Sequence, residues 1–164
     1  MAGDIFLKLE GIEGESTDDT HKKEFSLLSC STGVSNAGSF GSGTTGGGTA
    51  KANFQDVSCA AYVSKASPEL FLCCASGKHI PSATVVFRKA GGDAPVEYMK
   101  YELKNVMVTS YAVADSHNSG EQTVENFSLN FEEIKVTYTP QASKGGTAEG
   151  PVVQGWNLAT NKKT

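Results

Sequence analysis

The amino-acid sequence predicts a mainly β protein, a curved, barrel-like sheet with one short α-helix and one long glycine-rich loop. Apolar and polar residues alternate in several segments, which is the pattern of strands with one face in water. Two of the longest of these segments change apolar phase part-way, as strands do where a sheet bends. Glycine supplies 18 of the 164 residues, above the usual share of about 7%, and this favours turns and loops. We expect one domain over residues 1–164, because this length suits a single core.

Period-two alternation near the N-terminus indicates the first strands. Ile5, Leu7 and Leu9 alternate with their neighbours, which predicts an opening strand. We expect a polar loop over residues 13–23, followed by a second strand over residues 25–30, where apolar character returns.

The segment 33–50 is rich in glycine and poor in large apolar residues, which predicts one long surface loop. Loops longer than about 12 to 15 residues usually have a function of their own or are disordered. Glycine allows close approach of another chain, and Phe40 offers a sizeable apolar contact. We therefore expect this loop to bind protein. The mixed polar and apolar segment 52–59 predicts the next strand.

One helix is predicted over residues 68–76. Ser67 suits the N-cap, Pro68 the first helical position, Glu69 the first turn, and Gly77 a left-handed stop. Nearly every side of this helix is apolar, so we expect it to be covered by the sheet or by a neighbouring subunit. The residues that we expect to take part in a subunit interface are Glu69, Leu70, Phe71 and Cys73.

The remaining strands form a hairpin and two later segments. Strands are expected over residues 83–89 and 96–111, joined by a turn that contains Gly-Gly-Asp. The apolar phase changes at 104–105 and again at 132–133, within a strand expected over residues 127–138, and we expect a β-bulge at each place.

A closing strand with Trp156 as an anchor is expected over residues 152–157. We expect the polar residues that follow it to be frayed.

Composition and charge exclude several classes of protein. With 14 basic and 18 acidic residues the formal charge is −4, which is unsuited to binding a phosphate backbone, so no nucleic acid is expected. No apolar stretch approaches the roughly 20 residues needed to cross a bilayer, so no membrane insertion is expected. The N-terminus lacks the pattern of a secretory signal, so we expect synthesis in the cytoplasm. Cys30, Cys59, Cys73 and Cys74 are expected to be reduced core thiols.

Motifs for chemistry are weak. Gly41 to Gly46 matches G-x-G-x-x-G, but no helix follows it, so we expect no cofactor. His21, His79 and His117 have no neighbours at metal-ligand spacing, so no metal is expected. A nucleophile pair of Cys59 with His79 is possible in space, but packing roles are favoured, and we expect no enzyme.

Seven short motifs extend over nearly the whole chain: DIFLKL at 4–9, GES at 14–16, SGKHIP at 76–81, RKAGG at 88–92, EY at 97–98, ENFSLNF at 125–131 and GWN at 155–157. In this order they closely resemble the haemolysin-coregulated protein family, Hcp, of bacterial type VI secretion. The glycine-rich segment also falls where that family carries its extended loop.

The resemblance implies a β-barrel similar to phage tail tube proteins that forms hexameric rings, which stack into the inner tube of a contractile machine. It implies a VgrG spike at the tip, a contractile sheath outside, small effector proteins in the lumen, and export without a signal peptide. The residues that it implies for ring stacking are Ser39, Phe40, Gly41, Gly43, Thr45, Gly47 and Thr49. The alternatives are a barrel enzyme or ligand binder that uses Cys59 and His79, and a monomeric adhesin-like module.

Overall fold

The structure, a computed structural model, describes residues 3–38, 40, 50–90, 94–115, 122–141 and 150–164. This part of the chain forms ten strands and one helix. In chain order they are β1 Gly3–Leu9, β2 Phe25–Ser31, β3 Val34–Ser35, β4 Asn53–Phe54, β5 Val57–Tyr62, α1 Ser67–Ser76, β6 His79–Lys89, β7 Val96–Ala114, β8 Val124–Tyr138, β9 Val152–Asn157 and β10 Lys162–Lys163.

Six strands close into an antiparallel barrel in the order β8-β5-β2-β1-β6-β7, with β7 bonded back to β8. The predicted barrel-like sheet and the predicted β6–β7 hairpin are therefore confirmed. One edge of β8 pairs with β7 along nearly its whole length, whereas the other edge pairs first with β5 and then with β9. The expectation that residues 152–157 close the sheet is wrong, because β9 extends the sheet from β8 outside the closed ring.

The barrel interior is filled by apolar side chains from every strand of the ring. Leu7, Leu103 and Leu129 are completely buried, and Phe25 packs against Phe127 with ring centroids 5.9 Å apart. Each such side chain stabilises the fold by about 1.5–3 kcal/mol relative to exposure. The alternation seen in the sequence is therefore the division between this core and the outer face.

Helix α1 begins one residue earlier than predicted and lacks the predicted cap. Ser67 is the first helical residue, the preceding Ala66 provides no side-chain cap, and Pro68 stands at the helix start. The Ser67 hydroxyl instead accepts the backbone N–H of Ser64 at 2.9 Å and donates to the Glu125 carboxylate at 2.6 Å. The predicted stop is confirmed, since Gly77 has a φ of 67°.

The two phase changes are real, but they are not bulges. At 104–105 and 132–133 the buried positions of β7 and β8 change phase together, while the register between the strands is the same on both sides. The backbone of β7 changes direction at Asn105, which has a φ of 49°, and no extra residue is inserted there. The register of β7 with β8 shifts elsewhere, between Val108 and Ser110.

The glycine-rich segment has a structured base, so it is not loop from end to end as predicted. Strand β3 pairs with β4, and the Asn36 side chain donates to the carbonyl of Ala50 at 2.7 Å. The strand predicted over residues 52–59 is consequently two strands, β4 and β5. The G-x-G-x-x-G match at 41–46, from which no cofactor site was expected, lies outside the described residues.

The C-terminal residues are ordered, which contradicts the expected fraying. Strand β10 pairs with Trp156 and Asn157 of β9, and Thr164 donates its N–H to the carbonyl of Gly155 at 3.2 Å. Trp156 packs against the core as an anchor, as predicted.

The predicted loop between β1 and β2 is folded back on itself. Gly14 donates to the carbonyl of Lys23 at 2.8 Å, and Ser16 donates to that of Glu24 at 3.0 Å. A Cβ atom at Gly14 would lie 2.6 Å from the carbonyl carbon of Glu24, so only glycine fits this crossing.

A cluster of polar and aromatic side chains fixes this loop to the outer face of β1 and β6. We call its four residues the loop latch: Phe6, Asp18, His21 and Arg88. Arg88 makes a bidentate ion pair with Asp18, at 2.6 and 3.1 Å, and lies 4.7 Å from the centroid of the Phe6 ring. His21 stacks on the same ring at 4.4 Å. Phe6 and His21 are buried, and no pattern in the sequence predicted either of them in a packed site.

Candidate protein-interaction surfaces

Helix α1 leaves one apolar face uncovered. Leu70 and Cys73, which we expected at a subunit interface, are completely buried in the core of their own chain. Phe71 and Leu72 are 63% and 55% exposed, and we call these two residues the helix patch. Glu69, the charged member of the predicted set, forms an exposed ion pair in which its carboxylate lies 3.8 Å from the ammonium group of Lys78. Within the chain, the predicted interface set is therefore divided between the core and the surface.

Buried Glu125 fixes the helix to the barrel. Its carboxylate accepts hydrogen bonds from Ser67 at 2.6 Å and from the hydroxyl of Tyr111 at 2.8 Å, and Tyr111 meets the ring of Phe71 edge-on at 6.3 Å. Burial, and then the hydrogen bond to Glu125, raises the pKa of Tyr111. Sequence reasoning missed Glu125 because a glutamate in an alternating strand is ordinarily a solvent-facing residue.

A second apolar surface lies at the other end of β8. Tyr138, Val152 and Val153 are exposed, and β10 pairs only with the later residues Trp156 and Asn157 of β9. In the described part of the chain the outer edge of β9 at residues 152–154 has no strand beside it. We call Tyr138, Val152 and Val153 the β9 edge. An exposed apolar strand edge is a template for pairing with another chain.

The glycine-rich segment contributes a third surface. Phe40 is 87% exposed, and Val34 at the base of the segment is exposed as well. The other residues predicted for ring stacking, Ser39, Gly41, Gly43, Thr45, Gly47 and Thr49, lie outside the described residues.

The structure does not support a Cys59–His79 dyad. Cys59 is buried in the core opposite Cys30, and the exposed His79 has the side chain of Asn105 at 2.6 Å from its Nδ1. The hydrogen bond from the Cys59 thiol to Cys30 lowers the pKa of Cys30. The same bond, together with burial, raises the pKa of Cys59, so Cys59 is the protonated member of this pair and no activated catalytic thiolate.

The described ranges also lack several features that a metal site, a catalytic pocket or a membrane span would need. They contain no group of three or more His, Cys, Asp or Glu side chains arranged for a metal ion. An open groove of about 560 Å³ beside Tyr62 and Thr123 is lined by neither histidine nor cysteine. No helix in these ranges is long and apolar enough to cross a bilayer. The exposed apolar surfaces described above are the candidate interaction sites of the exterior.

The family model for "Type VI secretion system effector, Hcp" matches residues 6–138 of the chain. The chain belongs to the Hcp family. It is 44% identical over 161 residues to Protein hcp1 of Pseudomonas aeruginosa, an alignment that covers 98% of each protein. Hcp proteins are structural tube proteins of the type VI secretion system, so the resemblance noted in the sequence and the expectation of a non-enzymatic protein are confirmed.

Solved structures agree with this assignment. Hcp1 from Salmonella typhimurium is 35% identical, with a TM-score of 0.81 and full coverage of both chains. A type six secretion system protein with 30% identity superposes with a TM-score of 0.92 over 99% of this chain and 100% of that one. The predicted fold, a β-barrel with one short helix, is thus the fold of known Hcp structures.

Proposed function

We propose that this Hcp protein forms hexameric rings that stack into the inner tube of a type VI secretion system. The observation that carries the proposal is its 44% identity to Protein hcp1 over nearly the full length of both chains. Three apolar surfaces support the proposal: the helix patch, the β9 edge and Phe40 are all exposed to solvent in the single chain. Contiguous apolar surface on a soluble protein commonly marks an interface.

The positions of these surfaces fit ring closure. The helix patch lies beside the first residues of β8 and the β9 edge beside its last, and the 15 residues of β8 span roughly 45–50 Å at about 3.3 Å per residue. A ring needs two different surfaces on each subunit that bind each other head-to-tail. We assign the helix patch to one side of the subunit and the β9 edge to the other.

Gel filtration with light scattering is expected to give a mass near six times 17.2 kDa at micromolar concentration. Burial of the apolar surfaces on both sides of the subunit favours the assembled state. A monomer of unchanged mass up to high concentration would contradict the ring and favour the monomeric adhesin-like alternative.

The substitution Phe71→Glu is expected to shift the protein from rings to monomers without unfolding it. Phe71 is mostly exposed in the single chain, so a charge there costs little until a second subunit must bury it. At micromolar concentration the fraction of protein in rings should fall at least tenfold, as measured by light scattering.

Thr160→Glu is the matched control for the helix patch, since it adds the same charge at an exposed turn between β9 and β10. It should leave the ring mass unchanged. Normal rings from Phe71→Glu would remove the helix patch from the interface, even if the hexamer itself were confirmed.

The remaining partners follow from the place of an Hcp tube in the machine. We propose that the tube carries a VgrG spike at its tip, slides inside a contractile sheath, and holds small effector proteins in its lumen. We propose also that it is made in the cytoplasm and exported by the type VI machine without a signal peptide. Export is checked by detecting the protein in the culture supernatant of a strain with and without a working sheath.

A further inference from the structure

We propose that Cys30 and Cys59 are an oxidation site, which forms an intrachain disulfide when the protein meets a small-molecule disulfide such as oxidised glutathione. The inference goes beyond tube assembly and does not depend on it. All four cysteines are free thiols in the structure, and these two are on neighbouring strands of the barrel.

The strand register places the two cysteines together. Cys30 of β2 and Cys59 of β5 are directly opposite each other in an antiparallel pair, so their side chains point to the same face. Opposite residues in such a pair have Cα atoms about 4.5–5.5 Å apart, which lies within the range of about 4.4–6.8 Å that a disulfide requires. The register therefore meets the Cα separation that a disulfide requires.

Burial gives the two sulfurs different roles. Cys30 is only partly buried at the edge of the core, whereas Cys59 is buried within it. The thiol of Cys59 donates to the sulfur of Cys30, which stabilises a thiolate on Cys30. Cys30 is therefore the attacking residue and Cys59 the resolving residue.

The reaction is a thiol–disulfide exchange in two steps. The Cys30 thiolate attacks one sulfur of oxidised glutathione, forming a mixed disulfide and releasing one glutathione thiolate. Cys59 loses its proton and attacks the Cys30 sulfur, which releases the second glutathione thiolate. The two cysteines together lose two electrons, one glutathione disulfide gains them, and the two cysteine protons end on the two released glutathiones.

The new bond would tie together both ends of the segment that carries the glycine-rich loop. Residues 31–58 lie between the two cysteines, including the small β3–β4 sheet at the base of that loop. Closing a segment of this length restricts the unfolded chain. We expect the oxidised protein to melt roughly 5–15 °C higher than the reduced protein.

The test is intact-mass spectrometry of the purified full chain after incubation with oxidised glutathione, followed by peptide mapping without reduction. The wild type should lose the mass of two hydrogen atoms and yield a peptide pair joined through Cys30 and Cys59. Cys59→Ala should instead hold one glutathionyl group on Cys30, and Cys30→Ser should remain unmodified at Cys59. Cys74→Ser, a matched change at another half-buried thiol, should behave as the wild type does.

Three results would overturn the proposal: an unchanged wild-type mass, a bond that involves Cys73 or Cys74, or bonds between chains only. Because the first readout uses the wild type, a variant that fails to fold does not leave the question open.

Discussion

Replacing residues 39–49 with a short Gly-Ser linker is expected to leave soluble rings but to abolish their stacking into tubes and their export. The barrel does not need this segment, because the β3–β4 pairing and the bond from Asn36 to Ala50 close its base. Shortening a flexible loop changes its closure free energy by only about 0.6 kcal/mol per halving of its length. The fold should therefore tolerate the change. What is lost is the glycine-rich surface that we expect to reach the next ring.

Three measurements check this prediction: ring mass by light scattering, tubes by electron microscopy, and secreted protein in the culture supernatant. Phe40→Ala tests the apolar part of the contact, since Phe40 is 87% exposed and its removal should weaken tubes without affecting ring mass. Normal tubes and normal export from the shortened variant would show that the segment is dispensable.

Removing the cation of the loop latch, in the variant Arg88→Met, is expected to lower the melting temperature by roughly 6–12 °C. The side chain of Arg88 is only 10% exposed and neutralises the carboxylates of Asp18 and Asp4. Removing one partner of a largely buried ion pair lowers the free energy of unfolding by about 3 kcal/mol. The loss is smaller for a partner that stays hydrated, as the exposed carboxylate of Asp4 does. In a chain of this length each kcal/mol corresponds to about 2–4 °C.

Hydrogen exchange of the 13–24 loop separates this effect from general destabilisation. The amides of Gly14, Ser16 and Lys23 are bonded within the loop and should lose protection before the barrel amides do. Lys104→Met is the control, because the ammonium group of Lys104 is exposed and lies 3.6 Å from the partly buried carboxylate of Glu133, so its loss should change the melting temperature by less than about 2 °C. Equal shifts from both variants would contradict a special role for the latch.

The same ion pair predicts an acid sensitivity. The hydrogen bond from Arg88 lowers the pKa of Asp18 from 3.8 to about 2 in the folded chain. A depressed carboxyl pKa contributes stability above the unfolded value, and this contribution is lost as the pH falls from about 4 to about 2. The wild type should therefore lose more stability over that interval than Asp18→Asn does, as measured by denaturant unfolding at each pH.

Much of the fold was predictable because local chemistry and tertiary structure agree. Gly77 supplies the left-handed stop of α1, and the phase of Leu103 and Val106 reports the bend of β7 directly. A period-two pattern shows which face of a strand is buried, but it does not show which strands are neighbours. The sequence alone therefore indicated a curved sheet without revealing that β7 and β8 close it.

The features that were missed depend on contacts between distant residues. Phe6 alternates out of phase with the core, yet it is buried because the 13–24 loop returns over it. Ser67 has the residue type of an N-cap, but Glu125, 58 positions later, takes its hydroxyl. Leu70 and Cys73 were expected at an interface because helix periodicity cannot tell the chain's own sheet from a second subunit.

The double pairing of β8 also fixes when the barrel can form during synthesis. Strand β5 keeps an unpaired edge until residues 124–129 of β8 are available, and β7 keeps one until the whole of β8 is available. Pairings so distant in sequence are also slow to form. The nascent chain therefore exposes the open edge of β5 while residues 63–123 are added, and chaperones that shield such edges have their longest opportunity on this chain in that interval.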